Sequence, residues 1–323
     1  MILGFSCQGD RLLPIPSPFE ASDNVVWVDL VNPTADEERE LEQLYGIELP
    51  TRAEMEEIEI SSRLYSQNGV AYMTAMLPAH SDTDDPMIGP VSFVLTSARL
   101  FTVRYHEPRA FRTFPNRAAK YASGCDSGEG VLLALLDATV DRIADILERA
   151  GRDIENISRN IFGRTDVPPV KSKDLQTILA SIGRQGDLIS DIRDCLLTLE
   201  RLIGFFGQDA VQTHKGKEVR ERIKTLASDA HSLADHASFL AQKITFLLDA
   251  TLGMINIEQN AIIKIFSVAA VVFLPPTLIA SIYGMNFVRM PELGWPFGYP
   301  LALGLMVLSA ILPYLFFKRR GWL

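Results

Sequence analysis

The 323-residue sequence predicts an α/β N-terminal domain, a small mixed sheet with helices, followed by a very long stalk helix and two transmembrane helices. Three observations carry this expectation. Lys264 and Arg289 bracket an uncharged stretch from 265 to 288, 24 residues, and a second uncharged run, 293 to 317, is 25 residues long. A hydrocarbon layer of about 30 Å needs about 20 residues of helix, so each run is long enough to cross it. Short β-branched segments then occupy the first hundred residues, and helical periodicity takes over near Gly130.

The charge divides the same way. Formal net charge is −9, and residues 265 to 323 carry Arg289, Lys318, Arg319 and Arg320 against Glu292, +3, leaving −12 for residues 1 to 264. An acidic body of this kind argues against nucleic-acid binding, which relies on clustered Lys and Arg, and is compatible with attracting cations or with simple solubility. Cys7, Cys125 and Cys195 are isolated and odd in number, without a CxxC, which suggests neither a disulfide framework nor a thiolate zinc site. Met1 to Asp10 lacks a basic segment followed by a long apolar run, so no secretory signal is expected there.

In chain order, Val25-Val26-Trp27-Val28-Asp29-Leu30 suits a buried strand ended by Asn32-Pro33. Thr34 with Glu37 forms a capping-box start for a helix to about Leu44, and a short helix is expected from Thr51. Asn68-Gly69 is a hairpin signal between strands at about 63 to 66 and 70 to 77. Val91 to Thr96 and Leu100 to Arg104 read as a second hairpin. From Gly130, Leu132, Leu136, Val140, Ile143, Ile146, Leu147, Ile154, Ile157 and Ile161 recur at helical spacing, and Gly163 to Pro169 is read as a break. A partner helix follows from about Asp174 to Phe206, with a second break flanked by Gly204, Gly207 and Gly216. A third helix restarts near Glu218 and is expected to run unbroken into the membrane, on the order of 100 Å long, which calls for neighbouring copies to pack against. The expected organisation is 1–215 cytoplasmic domain, 216–260 stalk, 261–286 first transmembrane helix, 287–296 outer loop, 297–317 second transmembrane helix and 318–323 basic tail. The basic tail places both termini in the cytoplasm.

Along the first span, Asn260, Ile263 or Lys264, Ser267, Ala270, Leu274, Thr277, Ser281 and Gly284 fall near a 3.5-residue period, while Ile265, Val268, Val272, Leu278 and Ile282 are bulky and lie opposite. Small residues of this kind serve either close helix packing or the lining of a water-filled path, and Asn260, an amide near a span, needs a partner or water. Pro275-Pro276 predicts a mid-span kink, for packing or as a hinge. There is no P-loop and no paired nucleophile and base, so the sequence does not read as an enzyme.

Tyr283-Gly284-Met285-Asn286-Phe287, Met290-Pro291-Glu292-Leu293 and the terminal Lys318-Arg319-Arg320-Gly321-Trp322-Leu323, with Asn256-Ile257-Glu258-Gln259-Asn260 and Phe273-Leu274-Pro275-Pro276-Thr277 before them, resemble the CorA family of magnesium and cobalt transport proteins. The close resemblance covers about residues 245 to 323. It implies a homopentameric funnel in the bacterial inner membrane that carries Mg2+, with Co2+ and Ni2+ as secondary ions. Gly284, Met285 and Asn286 would form the selectivity mouth. Asn260, Ile263, Ser267, Ala270, Leu274, Thr277 and Ser281 would line the pore, with Ile263 at an apolar constriction.

The family also implies regulatory carboxylates that hold cations. Asp229, Asp82, Asp84 and Asp85 are the candidates, each equally readable as a solvated surface group. Lys318, Arg319 and Arg320 form either a basic collar at the cytoplasmic exit or an anchor to anionic membrane lipid. His231 and His236 are five apart, about 140° around a helix, a poor spacing for one metal. Val288-Arg289 departs from the acidic residue that many relatives carry. Two other readings are a zinc transporter of the ZntB kind and a non-conducting, membrane-tethered scaffold or sensor.

Overall fold

The computed structural model describes residues 1–9, 11–16, 24–83, 86–121, 124–162, 172–212, 216–286 and 290–322. It divides into two compact units, one of residues 1–167 and 180–247, the other of residues 168–179 and 248–323.

The first unit is built on a seven-stranded sheet. Its strands are β1 (Ile2–Gln8), β2 (Arg11–Ile15), β3 (Val25–Val31), β4 (Leu64–Gln67), β5 (Val70–Ala79), β6 (Met87–Leu95) and β7 (Leu100–Arg104). They lie in the order β2-β1-β3-β7-β6-β5-β4. Among the described residues only β3 and β7 pair in parallel, Trp27 to Val31 against Leu100 to Arg104, so the sheet is mixed as expected. Every residue of β3 is buried, which explains its unbroken apolar run. The β4–β5 hairpin turns on Asn68 and Gly69, with φ of 52° and 79°, the two positive angles that an Asn-Gly turn supplies at low steric cost.

Short helices flank the sheet. Helix α1 (Ala35–Tyr45) starts at a reciprocal box in which the Thr34 amide donates to Glu37 Oε2 at 2.8 Å and the Glu37 amide to Thr34 Oγ1 at 3.3 Å. Thr51 and Glu54 repeat the device at α2 (Arg52–Glu56). A single turn, α3 (Ile60–Arg63), occupies the residues just before β4. Helix α4 (Arg109–Ala118) buries Ala110, Phe111, Phe114 and Ala118, and both phenylalanines pack on Trp27.

The sequence reading did not anticipate β1, β2 or α4. The first two form a hairpin turning at Gly9 (φ 56°), and their pattern of Gly, Ser and Pro among the apolar residues carries no clean alternation.

Three long helices follow: α5 (Gly128–Phe162), α6 (Ser172–Gln212) and α7 (Lys217–Tyr283). All nine apolar positions read from the periodicity of α5 are buried. Gly128 sits where an added Cβ would lie 2.4 Å from the Arg99 carbonyl carbon, so glycine lets α5 start tight against the β6–β7 turn. The partner helix ends later than the expected Phe206, because α6 continues past Gly204 and Gly207 to Gln212, and the next helix restarts at Lys217, beside Gly216 and close to the expected Glu218. A Cβ at Gly207 would meet Ile223 at 3.3 Å, and the glycine there serves close approach to α7 rather than termination. The expected break at 163 to 169 lies outside the described residues.

Candidate functional site

The second unit holds the apolar end of α7 and a final helix, α8 (Gly298–Arg319). Both are long and apolar enough to cross a membrane. Along these two segments, among the described residues from 261 to 283 and 298 to 319, only Val268 and Ala302 are buried. So much exposed apolar surface is incompatible with water and requires lipid or protein around it.

Helix α7 runs through Pro275 and Pro276 without interruption. Each proline lacks the N–H that would reach the carbonyl four residues back, at Val271 and Val272. Thr277 Oγ1 donates to the Phe273 carbonyl at 2.7 Å, so its proton is spent on its own helix and its lone pairs remain to accept from water.

The seven residues of the expected polar or narrow face, Asn260, Ile263, Ser267, Ala270, Leu274, Thr277 and Ser281, are all exposed. Their steps of three and four residues keep them on one stripe of the helix. On the opposite face Val268 is buried and Val272 half-buried, while Ile265, Leu278 and Ile282 are exposed, so what distinguishes the stripe is its small and polar residues.

The helix ends at Tyr283, with the Gly284 amide donating to the Ala280 carbonyl at 2.9 Å and the Met285 amide to Ile282 at 3.3 Å. A Cβ on residue 284 would stand 3.0 Å from the Ala280 oxygen, so a larger residue would have to push this last turn apart. Met285 and Asn286 are exposed beyond it, at the point where the helix stops. Residues 287 to 289, including Val288-Arg289, lie outside the described residues. A 3₁₀ turn, Pro291–Gly294, leads to Trp295 and Phe297, whose rings meet edge to face at 6.4 Å, and to the exposed Tyr299. Aromatic residues at a span's end suit the membrane–water interface.

The profile of the family described as CorA-like Mg2+ transporter protein matches residues 22–319. The chain belongs to the CorA-like Mg2+ transporter family. Over the full length of both proteins it is 38% identical to the magnesium transport protein CorA of Pasteurella multocida (strain Pm70) and 36% identical to that of Escherichia coli (strain K12). The complete structure of the CorA magnesium transporter from Methanocaldococcus jannaschii superposes with a TM-score of 0.78 at 18% identity, covering 100% of this chain and 99% of that one, a likeness of fold. CorA proteins are transporters, not enzymes, and α8 and the apolar end of α7 are this chain's two membrane spans.

The candidate regulatory carboxylates are placed very differently. Asp82 meets three guanidinium groups: Arg142 Nη2 at 2.7 Å, Arg109 and Arg149. The hydrogen bond from Arg142, then that from Arg149, hold its carboxyl at about 2, well below the usual aspartate value of 3.8. A cation at Asp82 would have to displace these arginines. Asp229 is exposed on α7, near enough to Asp141 of α5 for the two charges to act on each other. Asp84 and Asp85 lie outside the described residues. Among the described residues no group of three or more His, Cys, Asp or Glu is placed to hold a metal ion. His231 Nδ1 instead lies 3.0 Å from Glu200 Oε1, and His236 stacks with Phe239.

At the far end of α8, the Arg320 guanidinium lies over the Phe316 ring at 5.5 Å, while Lys318 and Arg319 close the last turn. Lys264, at the start of the first span, sits over Trp322 at 5.8 Å. In the sequence Lys264 reads as the boundary of a span or as an alternative to Ile263 on its stripe, and nothing there singles out Arg109, Arg142 or Arg149 as partners of Asp82. The signal for Arg109 was available in Pro108 followed by apolar residues at 110, 111, 114 and 118, an amphipathic helix start.

Proposed function

We propose that this chain mediates uptake of Mg2+, driven by the membrane potential, through a homopentameric pore in the bacterial inner membrane, with both termini in the cytoplasm. The observation that carries the proposal is the stripe of mostly small and polar residues from Asn260 to Ser281, on one side of the span, ending at Gly284-Met285-Asn286. Five such stripes turned inward enclose a water-filled path, and the remaining apolar surface of the spans faces neighbours and lipid.

The chemistry of the mouth suits Mg2+. This ion dehydrates reluctantly and keeps several of its waters. A ring of neutral Asn286 amide oxygens cannot replace a full inner shell but accepts hydrogen bonds from the ion's waters, so a hydrated ion is read there. Co2+ and Ni2+ follow as secondary ions of similar hydration. Thr277 and Asn260 offer further acceptors to the hydrated ion, and Ile263 and Leu274 form apolar rings that close by dewetting. Two inward charges gain about 2 × 2.3 kcal/mol per 100 mV of inside-negative potential, which drives influx without ATP. Lys318, Arg319 and Arg320 form a basic collar at the cytoplasmic exit. Of the four candidate carboxylates, Asp229 is the one taken for gating by cytoplasmic Mg2+, because it is exposed and, among the described residues, in no ion pair with an arginine, whereas Asp82 is paired with three.

The test is Mg2+ flux into proteoliposomes under an imposed potential, with Asn286→Ala alongside the native chain. Flux in the native protein that is abolished by the substitution supports the proposal. Equal flux in both, or none in either, defeats it.

A further inference from the structure

A groove of about 580 Å3 opens between α4 and α5, lined by Arg109, Thr113 and Arg117 from one helix and Asp141, Arg142 and Asp145 from the other. Asp82, on the β5–β6 connection, reaches two of these arginines, Arg109 and Arg142, and Arg149, which is not part of the lining. With Arg117, Asp141 and Asp145 of the groove counted, four guanidinium groups meet three carboxylates, an excess of one positive charge because arginine does not deprotonate in proteins. This concentration runs against the acidic balance of the chain, so general basicity does not account for it.

Arg142 carries the argument further. Its side chain is only 10% exposed, yet its Nε is buried without a hydrogen-bond partner. Its Nη2 donates to Ser81 Oγ at 2.8 Å and to Asp82, and its other contact, to Asp145 at 4.0 Å, is long and exposed on the carboxylate side. A buried cationic donor left unpaired is costly, and an oxyanion in the groove would relieve it. The first turn of α4, whose N-cap Pro108 provides no side-chain acceptor, opens on the same groove through Arg109 and Ala110.

We propose that the α4–α5 groove binds a phosphate-bearing anion of the nucleotide class, with Arg109, Arg117 and Arg142 as phosphate ligands and Asp82 as an internal carboxylate competing for the same guanidinium groups. The planar guanidinium fork matches phosphate oxygens in pairs. The groove falls in the size range of sites that take whole small molecules and is larger than a single phosphate requires. The site lies in the first unit, and its binding measurement is independent of whether Mg2+ passes through the spans.

The experiment is calorimetric titration of the full-length protein in detergent with ATP, pyrophosphate and orthophosphate, in EDTA so that no divalent ion bridges ligand and protein. Saturable ATP binding is expected, weakened about tenfold or more by Arg109→Gln with Arg117→Gln, as loss of charge-assisted phosphate contacts requires. Asp82→Asn should tighten it, because the competing carboxylate is gone, and circular dichroism verifies that each variant is folded. Absence of saturable binding, or equal affinity in the native chain and the double arginine variant, overturns the site. Orthophosphate binding as tightly as ATP overturns the nucleotide class, and weaker binding by Asp82→Asn overturns the competitor role.

Discussion

The ammonium group of Lys264, at the start of the first span, lies 5.8 Å from the centre of the Trp322 ring, at the end of the chain. Trp322 stacks in turn on Phe317 at 5.2 Å. The cytoplasmic ends of the two spans are thereby tied through one cation and one aromatic face. Such a contact contributes about 0.5–1 kcal/mol at an exposed site. A double-mutant cycle with Lys264→Met and Trp322→Leu, read by thermal melting in detergent, should return a coupling of that size. Additive effects would show that the two residues act separately.

Gly284 closes the last turn of α7 where a Cβ would press on the Ala280 carbonyl at 3.0 Å. Gly284→Val is therefore expected to displace the Met285-Asn286 mouth while leaving the first unit intact. Flux in proteoliposomes should fall, because Met285 and Asn286 would leave the proposed entrance, with the thermal transition of the first unit unchanged. Undiminished flux would show that the mouth tolerates a wider turn.

Asp29 and Arg104 form a buried ion pair between the parallel strands β3 and β7, with Arg104 Nη2 2.9 Å from Asp29 Oδ2. Thr102 Oγ1 donates to Asp29 Oδ1 at 2.7 Å and accepts from Trp27 Nε1 at 2.9 Å, so the pair is part of a satisfied network. Arg104→Leu strands the carboxylate and should cost about 3–5 kcal/mol in chemical denaturation. Asp29→Asn with Arg104→Leu should cost less than the single change, since no unpaired charge is left.

Two groups give opposite pH dependences. His231 is raised above its ordinary 6.5 by its hydrogen bond to Glu200 and by the charges of Asp235 and Glu200. Its contribution is fully present below about pH 6.5 and is lost as pH rises through the higher folded value. His231→Gln should flatten that part of the stability profile. Asp82 is lowered from 3.8 to about 2, so its contribution is present above about pH 4 and lost as pH falls toward 2. Asp82→Asn should lower the melting temperature at pH 7 and leave it nearly unchanged at pH 2. A uniform offset at all pH values would contradict the arginine cluster as the cause.

Much of this was readable locally. The capping box at Thr34, the helix start at Thr51, the Asn68-Gly69 turn and the apolar period of α5 rest on residues close in sequence, and each emerged where the sequence placed it. The spans and the stripe from Asn260 to Ser281 were equally legible, because length and a 3.5-residue period need no partner to be recognised. The β1–β2 hairpin was not, since its strand character depends on pairing with β3, whose sequence lies well beyond the turn. Gly207 misled the reading for a related reason: a glycine that ends a helix and one that admits a neighbouring helix look alike until Ile223 is seen against it.

The sequence by itself therefore determined the membrane class and the two spans, set by contiguous residues and by the chain's own periodicity. Only the tertiary structure decided that Asp82 faces arginines 27, 60 and 67 residues away in the sequence instead of standing free for a cation. Charge alone cannot reveal that pairing, because it is created by the sheet and by α4 and α5 converging on one loop.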